Sequence, residues 1–171
     1  MSTLPVEGNS TKLATTIYPQ NASPSQTKWD LRFMGLAKQI GEWSKDHDRK
    51  VGCIIVGPQR EIRSAGYNGL PRGVNDDVPE RHAIPAKYLW TEHPERNAIY
   101  NAAAVGIPLR DCTLYIAGFP CMDCARAVVQ SGITTVVSYE PDLNNPKWAE
   151  DFKNTLQLFS EAGIYLRHVE R

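Results

Sequence analysis

"TEHPERNAIYNAAAVGIPL" (residues 91–109) places a histidine two residues before a glutamate at the start of a helix-forming segment. Pro94 suits a first helical turn. Gly106 and Pro108 supply a stop, so the stretch predicts a helix from Pro94 to about Val105. "CTLYIAG" (112–118) then reads as a strand, and Cys121 to Ser131 as a helix closed by Gly132. "TTVVSY" (134–139) is a further strand. Trp148 to Ala162 is a helix ending at Gly163, and "IYLRHVE" (164–170) is a last strand. Strands that alternate with helices imply crossover connections and a parallel half-sheet.

Upstream of this stretch the pattern changes. "VGCIIVG" (51–57) and "IRSAGYNG" (62–69) are β-rich runs joined by a turn-like Pro58–Glu61, which predicts a hairpin. Residues 70–92 form a long polar connection with Pro71, Pro79 and Pro85, and connections of that length are usually functional. Trp29, Phe33, Leu36, Ile40 and Trp43 recur at helical spacing, with Thr27–Asp30 as a capping box. Residues 1–26 are rich in Ser, Thr, Pro, Asn and Gln. They are expected to be a flexible arm ahead of a single domain at 27–171.

Composition narrows the function classes. Lys+Arg and Asp+Glu are equal at 19 each, which argues against a protein that tracks nucleic-acid phosphates. No apolar run approaches a membrane span, and no secretory leader is apparent. The expected location is cytoplasmic. There a close cysteine pair binds metal or does redox chemistry more often than it forms a structural disulfide.

Cys121 and Cys124 stand three apart at the start of one helix, and His93 and Glu95 at the start of another. A Cys-x-x-Cys pair alone is compatible with a redox couple or half a zinc knuckle, but those readings leave His93 and Glu95 without a role. With His93 as a third ligand, the fourth tetrahedral position stays open, the pattern of a catalytic zinc. Zinc makes a water ionisable near neutral pH, and Glu95 is placed to carry its proton. His-x-Glu followed by Pro-Cys-x-x-Cys is the signature of zinc nucleobase deaminases. Here it reads His93-Pro94-Glu95 and Pro120-Cys121-Met122-Asp123-Cys124. Cys53 and Cys112, in or beside strands, are expected to be buried apolar residues. His47, His82 and His168 have no partner at ligand spacing.

"GYNGLPRGVND" (66–76), "HPERNAIYNAA" (93–103) and "FPCMDCARAVVQSGI" (119–133) together resemble the cytidine and deoxycytidylate deaminase superfamily, on its deoxycytidylate (dCMP) branch. The resemblance runs from about Trp29 to Tyr139. It implies an α/β, three-layer fold with a five-stranded mixed sheet flanked by helices, and a homo-oligomer. It implies zinc held by His93, Cys121 and Cys124, with Glu95 as proton shuttle and Asn68 facing the sugar or ring. A deoxynucleoside triphosphate effector, as in some members, is an open expectation.

Two positions depart from the family pattern. Pro94 has no N–H to offer a ring carbonyl. Ala104 stands where some phosphate-recognising relatives carry arginine. Arg72, Arg81 or Arg96 would then meet a phosphate, and Tyr139 would stack on the ring. The expected reaction is dCMP to dUMP plus ammonia. The alternative is another free base, nucleoside or amino-heterocycle. A tRNA adenosine deaminase and a non-catalytic zinc scaffold rank below both.

Overall fold

The computed structural model describes residues 22–171; the expected arm falls mostly on 1–21, outside them. Helix α1 spans Pro24–Gly41. Its N-cap is Ser23, whose Oγ accepts the Gln26 N–H at 3.2 Å, and Pro24 fills a first-turn position that needs no N–H. The helix thus begins before the box expected at Thr27–Asp30. Asp30 lies inside the helix instead, 2% exposed. It accepts the Tyr115 hydroxyl at 2.9 Å and the Arg167 Nε at 2.8 Å. The buried stripe runs through Phe33, Met34, Ala37 and Gly41. Leu36 and Trp43, expected on that face, are 39% and 66% exposed, because the four-residue step from Phe33 lands on Ala37.

Strands β1 (Gly52–Val56) and β2 (Ile62–Tyr67) form the expected antiparallel hairpin. Strands β3 (Thr113–Ile116), β4 (Thr135–Ser138) and β5 (Tyr165–His168) complete one sheet in the order β2-β1-β3-β4-β5. β1 pairs antiparallel with β3, whereas β3–β4 and β4–β5 are parallel. The connecting helices are α3 (Pro94–Ala104), α4 (Met122–Gln130) and α5 (Ala149–Glu161). The sheet is mixed and five-stranded, as the sequence predicts.

Side chains alternate across a strand, and both faces are covered. Ile54, Val56, Tyr115 and Val137 pack under α1 with Phe33, Met34 and Ala37. Cys53, Ile55, Leu114 and Val136 face α3, α4 and α5 through Ala98, Ala102, Val128 and Phe159. Burying a side chain such as Phe159 contributes about 2–3 kcal/mol. Cys53 and Cys112 are buried and free, as expected.

The connection at 70–92 is shaped rather than formless. It holds a 3-10 turn at Pro79–Arg81 and a short helix α2, Lys87–Trp90. Gly69 and Glu92 pair across its base, N–H to C=O in both directions.

Candidate metal centre and active site

His93 and Cys121 are the N-cap residues of α3 and α4, both extended, and neither side chain caps its own helix. Other groups satisfy the nearby amides. Glu92 Oε1 accepts the His93 N–H at 3.1 Å, and Asp151 Oδ2 from α5 accepts the Met122 N–H at 2.9 Å. The imidazole and the thiol are thereby released toward each other. Both helix N-termini bring positive partial charge to the cluster.

His93 Nδ1 lies 3.4 Å from Cys121 Sγ and 3.6 Å from Cys124 Sγ. The three ligand atoms fall within 4.8 Å of one another. Zn–S near 2.3 Å and Zn–N near 2.0 Å place tetrahedral ligand atoms about 3.5–3.8 Å apart. The residues therefore fit zinc in donor type and in spacing, and the chain supplies three ligands rather than four. Within the cluster, the hydrogen bond from Cys124 and the contact with His93 outweigh burial and hold Cys121 down to about 4. The same Cys121 contact, with burial, raises Cys124.

Glu95, in the first turn of α3, is 2% exposed. Its Oε2 is buried without a hydrogen-bond partner among the described residues. Burial raises its pKa to about 7, with the Cys121 charge adding and the His93 charge opposing. A buried carboxyl with an open oxygen beside an incomplete ligand set is equipped to accept and return a proton.

The structure also places the other expected residues. Asn68 is 6% exposed and its amide is engaged: Oδ1 accepts the Val51 N–H at 2.8 Å, and Nδ2 donates to the Arg49 carbonyl at 2.9 Å. It braces the 44–51 loop. Arg72 is exposed and donates to Asn101 Oδ1 at 2.8 Å. Arg81 donates to the Asn75 carbonyl, and Arg96 pairs with Glu92. Ala104 ends α3, about 16 Å along the helix from His93 at 1.5 Å per residue.

Tyr139 directly follows β4 and is 8% exposed. It lines a cavity of about 500 Å³ with Arg49, Gly118, Phe119, Trp148 and Arg171. This cavity lies where the parallel strands β3 and β4 end. Sequence reasoning passed over Arg49 and Lys87. Arg49 sits in an ordinary charged stretch and Lys87 alone among apolar residues, and only contacts between distant segments distinguish them.

Comparison with known proteins agrees with this geometry. The family described as "Cytidine and deoxycytidylate deaminase zinc-binding region" matches residues 27–140. An uncharacterized deaminase in the luxG 3' region of Aliivibrio fischeri is 38% identical, over 81% of this chain and 91% of that one. Human deoxycytidylate deaminase is 33% identical, over 82% and 79% of the two chains. The dCMP deaminase of cyanophage S-TIM5, in complex with dCMP and dUMP, shares the fold at a TM-score of 0.67 and 20% identity. That match covers 87% of this chain and 100% of that one. With a zinc-fitting ligand set, a buried acid and a family match across the whole site, the chain belongs to the cytidine and deoxycytidylate deaminases, zinc-dependent hydrolases that act on an exocyclic amine.

Proposed function

We propose that the protein hydrolyses dCMP to dUMP and ammonia. His93, Cys121 and Cys124 hold the zinc, and Glu95 moves the protons. The observation that carries the reaction type is the partnerless Oε2 of buried Glu95 beside three converging ligand atoms. The similarity to curated deoxycytidylate deaminases supports the substrate.

Bound zinc supplies a Lewis acid that makes water ionisable at neutral pH. Glu95 takes one proton from the attacking water and gives it to the ring nitrogen. It then takes the second and delivers it to the leaving amine. One C–O bond forms, one C–N bond breaks, and ammonia departs. Burial keeps Glu95 near the pKa at which it both accepts and donates.

Pro94 favours one second reading. It is buried at the first position of α3 and has no N–H for a ring carbonyl. A different amino-heterocycle would not need that donor. Ammonia release from dCMP, CMP, deoxycytidine, cytosine, adenine, guanine and their nucleosides separates the two. dCMP as the best substrate supports the proposal; silence on dCMP with turnover of another amine overturns it.

We also propose a homo-oligomer. The resemblance to the superfamily supports it; Ile84, Leu89 and Trp43, 61%, 89% and 66% exposed, are apolar side chains such an interface would cover. Light scattering after gel filtration tests this: a mass above 19.1 kDa supports it, and a monomer refutes it.

A further inference from the structure

A metal ligand at a helix N-cap meets two demands, because the side chain that would ordinarily serve the first amides is given to the metal. Cys121 stands at that position in α4. Resting on the zinc reading above, we infer that Asp151, on the neighbouring helix α5, is a positioning residue for the metal centre. It fixes the bearing of the Cys121 thiol from outside the segment that holds the ligands.

Asp151 Oδ2 accepts the Met122 N–H at 2.9 Å, across 29 positions of the chain. Met122 directly follows Cys121, so this N–H belongs to the peptide plane that turns about the Cys121 ψ. Holding that plane holds ψ at its 169°, and with it the direction of the Cys121 side chain relative to α4. A carboxylate acceptor makes this bond stronger than a neutral one would be.

The first turn of α5 is itself fixed against the ligand segment. Phe152, next to Asp151, is 8% exposed and packs edge-on against Phe119, ring centroids 5.2 Å apart. Trp148 stacks on Phe152 at 6.2 Å. Phe119 is two residues before Cys121. The ligand turn is therefore gripped on both sides of Cys121, by a ring at 119 and by an amide at 122.

The other ligand helix is served differently. His93 has its N–H accepted by Glu92, its immediate neighbour. Asp151 lies beyond residues 27–140, which match the family, so the support of Cys121 comes from a part of the chain outside the matched segment. Asp123, the other residue between the two cysteines, is 60% exposed and pairs with Arg96 and Arg126, contacts that water screens. An acid in the first turn of α5 also favours its own helix end. Glu150 shares that turn and is exposed, so it serves as the control for that effect.

The test uses the full chain as wild type, Asp151→Ala, Asp151→Asn and Glu150→Ala, each freed of metal and titrated with zinc against a chromophoric chelator. Thermal unfolding shows that each zinc-free protein is folded before metal is added. The visible spectrum of each cobalt(II)-loaded protein reports the geometry at the thiolates. Asp151→Ala should weaken zinc binding about 10- to 100-fold, the usual cost of losing a partner behind a metal ligand, and should shift the cobalt–thiolate bands. Asp151→Asn keeps an oxygen for the Met122 N–H and should recover most of the affinity. Glu150→Ala should bind zinc as wild type does. An Asp151→Ala protein that binds zinc as tightly as wild type overturns the inference, and so does an Asp151→Asn protein as weak as Asp151→Ala. An equal loss in Glu150→Ala also overturns it, because the effect would then belong to the helix end. Where Asp151→Ala does not fold without metal, Asp151→Asn against Asp151→Leu, alike in shape with and without an acceptor, is read by the same rule. A wild type that binds no zinc defeats the metal reading itself, and this inference with it. Silence on dCMP leaves the inference standing, because zinc binding rather than turnover is read.

Discussion

Lys87 Nζ lies 3.1 Å from Asp46 Oδ1, and the two side chains are only 10% and 12% exposed. The same ammonium is 2.8 Å from Asp48 Oδ2. This contact ties the long 70–92 connection to the 44–51 loop that carries Arg49. Lys45, paired with Asp76 and Asp77, adds an exposed second tie.

Removing the ammonium leaves Asp46 poorly compensated. Lys87→Met should cost about 3 kcal/mol in denaturant unfolding, as for other broken buried pairs. Lys87→Arg should keep most of that stability. The double variant Lys87→Met with Asp46→Asn should lose less than the single variants together, since no lone charge remains.

Asp46 also makes stability depend on acid. Burial alone would raise its pKa, but the Arg49 and Asp48 N–H groups and the Lys87 ammonium outweigh it and hold the carboxyl below its ordinary value. A depressed carboxyl contributes stability above its unfolded pKa of about 3.9, and this is lost as pH falls through the folded value. The stability gap between wild type and Asp46→Asn should therefore be full at pH 6 and shrink below about pH 4. Unfolding curves across that range check it.

Gly66 marks where β2 meets α3. A Cβ there would stand 2.4 Å from the Ala98 nitrogen and 2.5 Å from the Pro94 carbonyl oxygen. Both are backbone atoms, so the helix must shift. Gly66→Ala should destabilise the fold by about 1–3 kcal/mol. It should also lower zinc affinity and turnover, because His93 and Glu95 move with α3. Zinc content by metal analysis separates this from a purely global effect.

The chemistry was legible because its residues are local. His93 and Glu95 are two apart, Cys121 and Cys124 three apart, and a helix start directs each pair. The strand and helix order was legible too, since alternation and glycine stops act over short spans. What stayed hidden depends on distance or on competition. The start of α1 went to Ser23 and Pro24 because that cap and proline stand four and three residues ahead of Thr27. Lys87 meets Asp46 across 41 positions. Asn68 looked like a ligand-facing amide, yet its amide is taken up by the backbone of the 44–51 loop.

Zinc content should follow the three ligands. Wild type should hold about one zinc per chain, and Cys121→Ser or His93→Ala should lose most of it, as expected when a three-ligand site drops to two. Chelation should abolish turnover, and added zinc should restore it. Turnover that survives full chelation would remove zinc from the account.

The most direct measurement is turnover of Glu95→Gln on dCMP, with zinc content and thermal unfolding recorded on the same sample. Proton transfer by Glu95 predicts retained zinc, a retained fold and a loss of at least about 100-fold in kcat, within the range ascribed to general acid–base catalysis. A Glu95→Gln protein that keeps both zinc and wild-type turnover would contradict it, because the buried carboxyl would then have no part in the reaction.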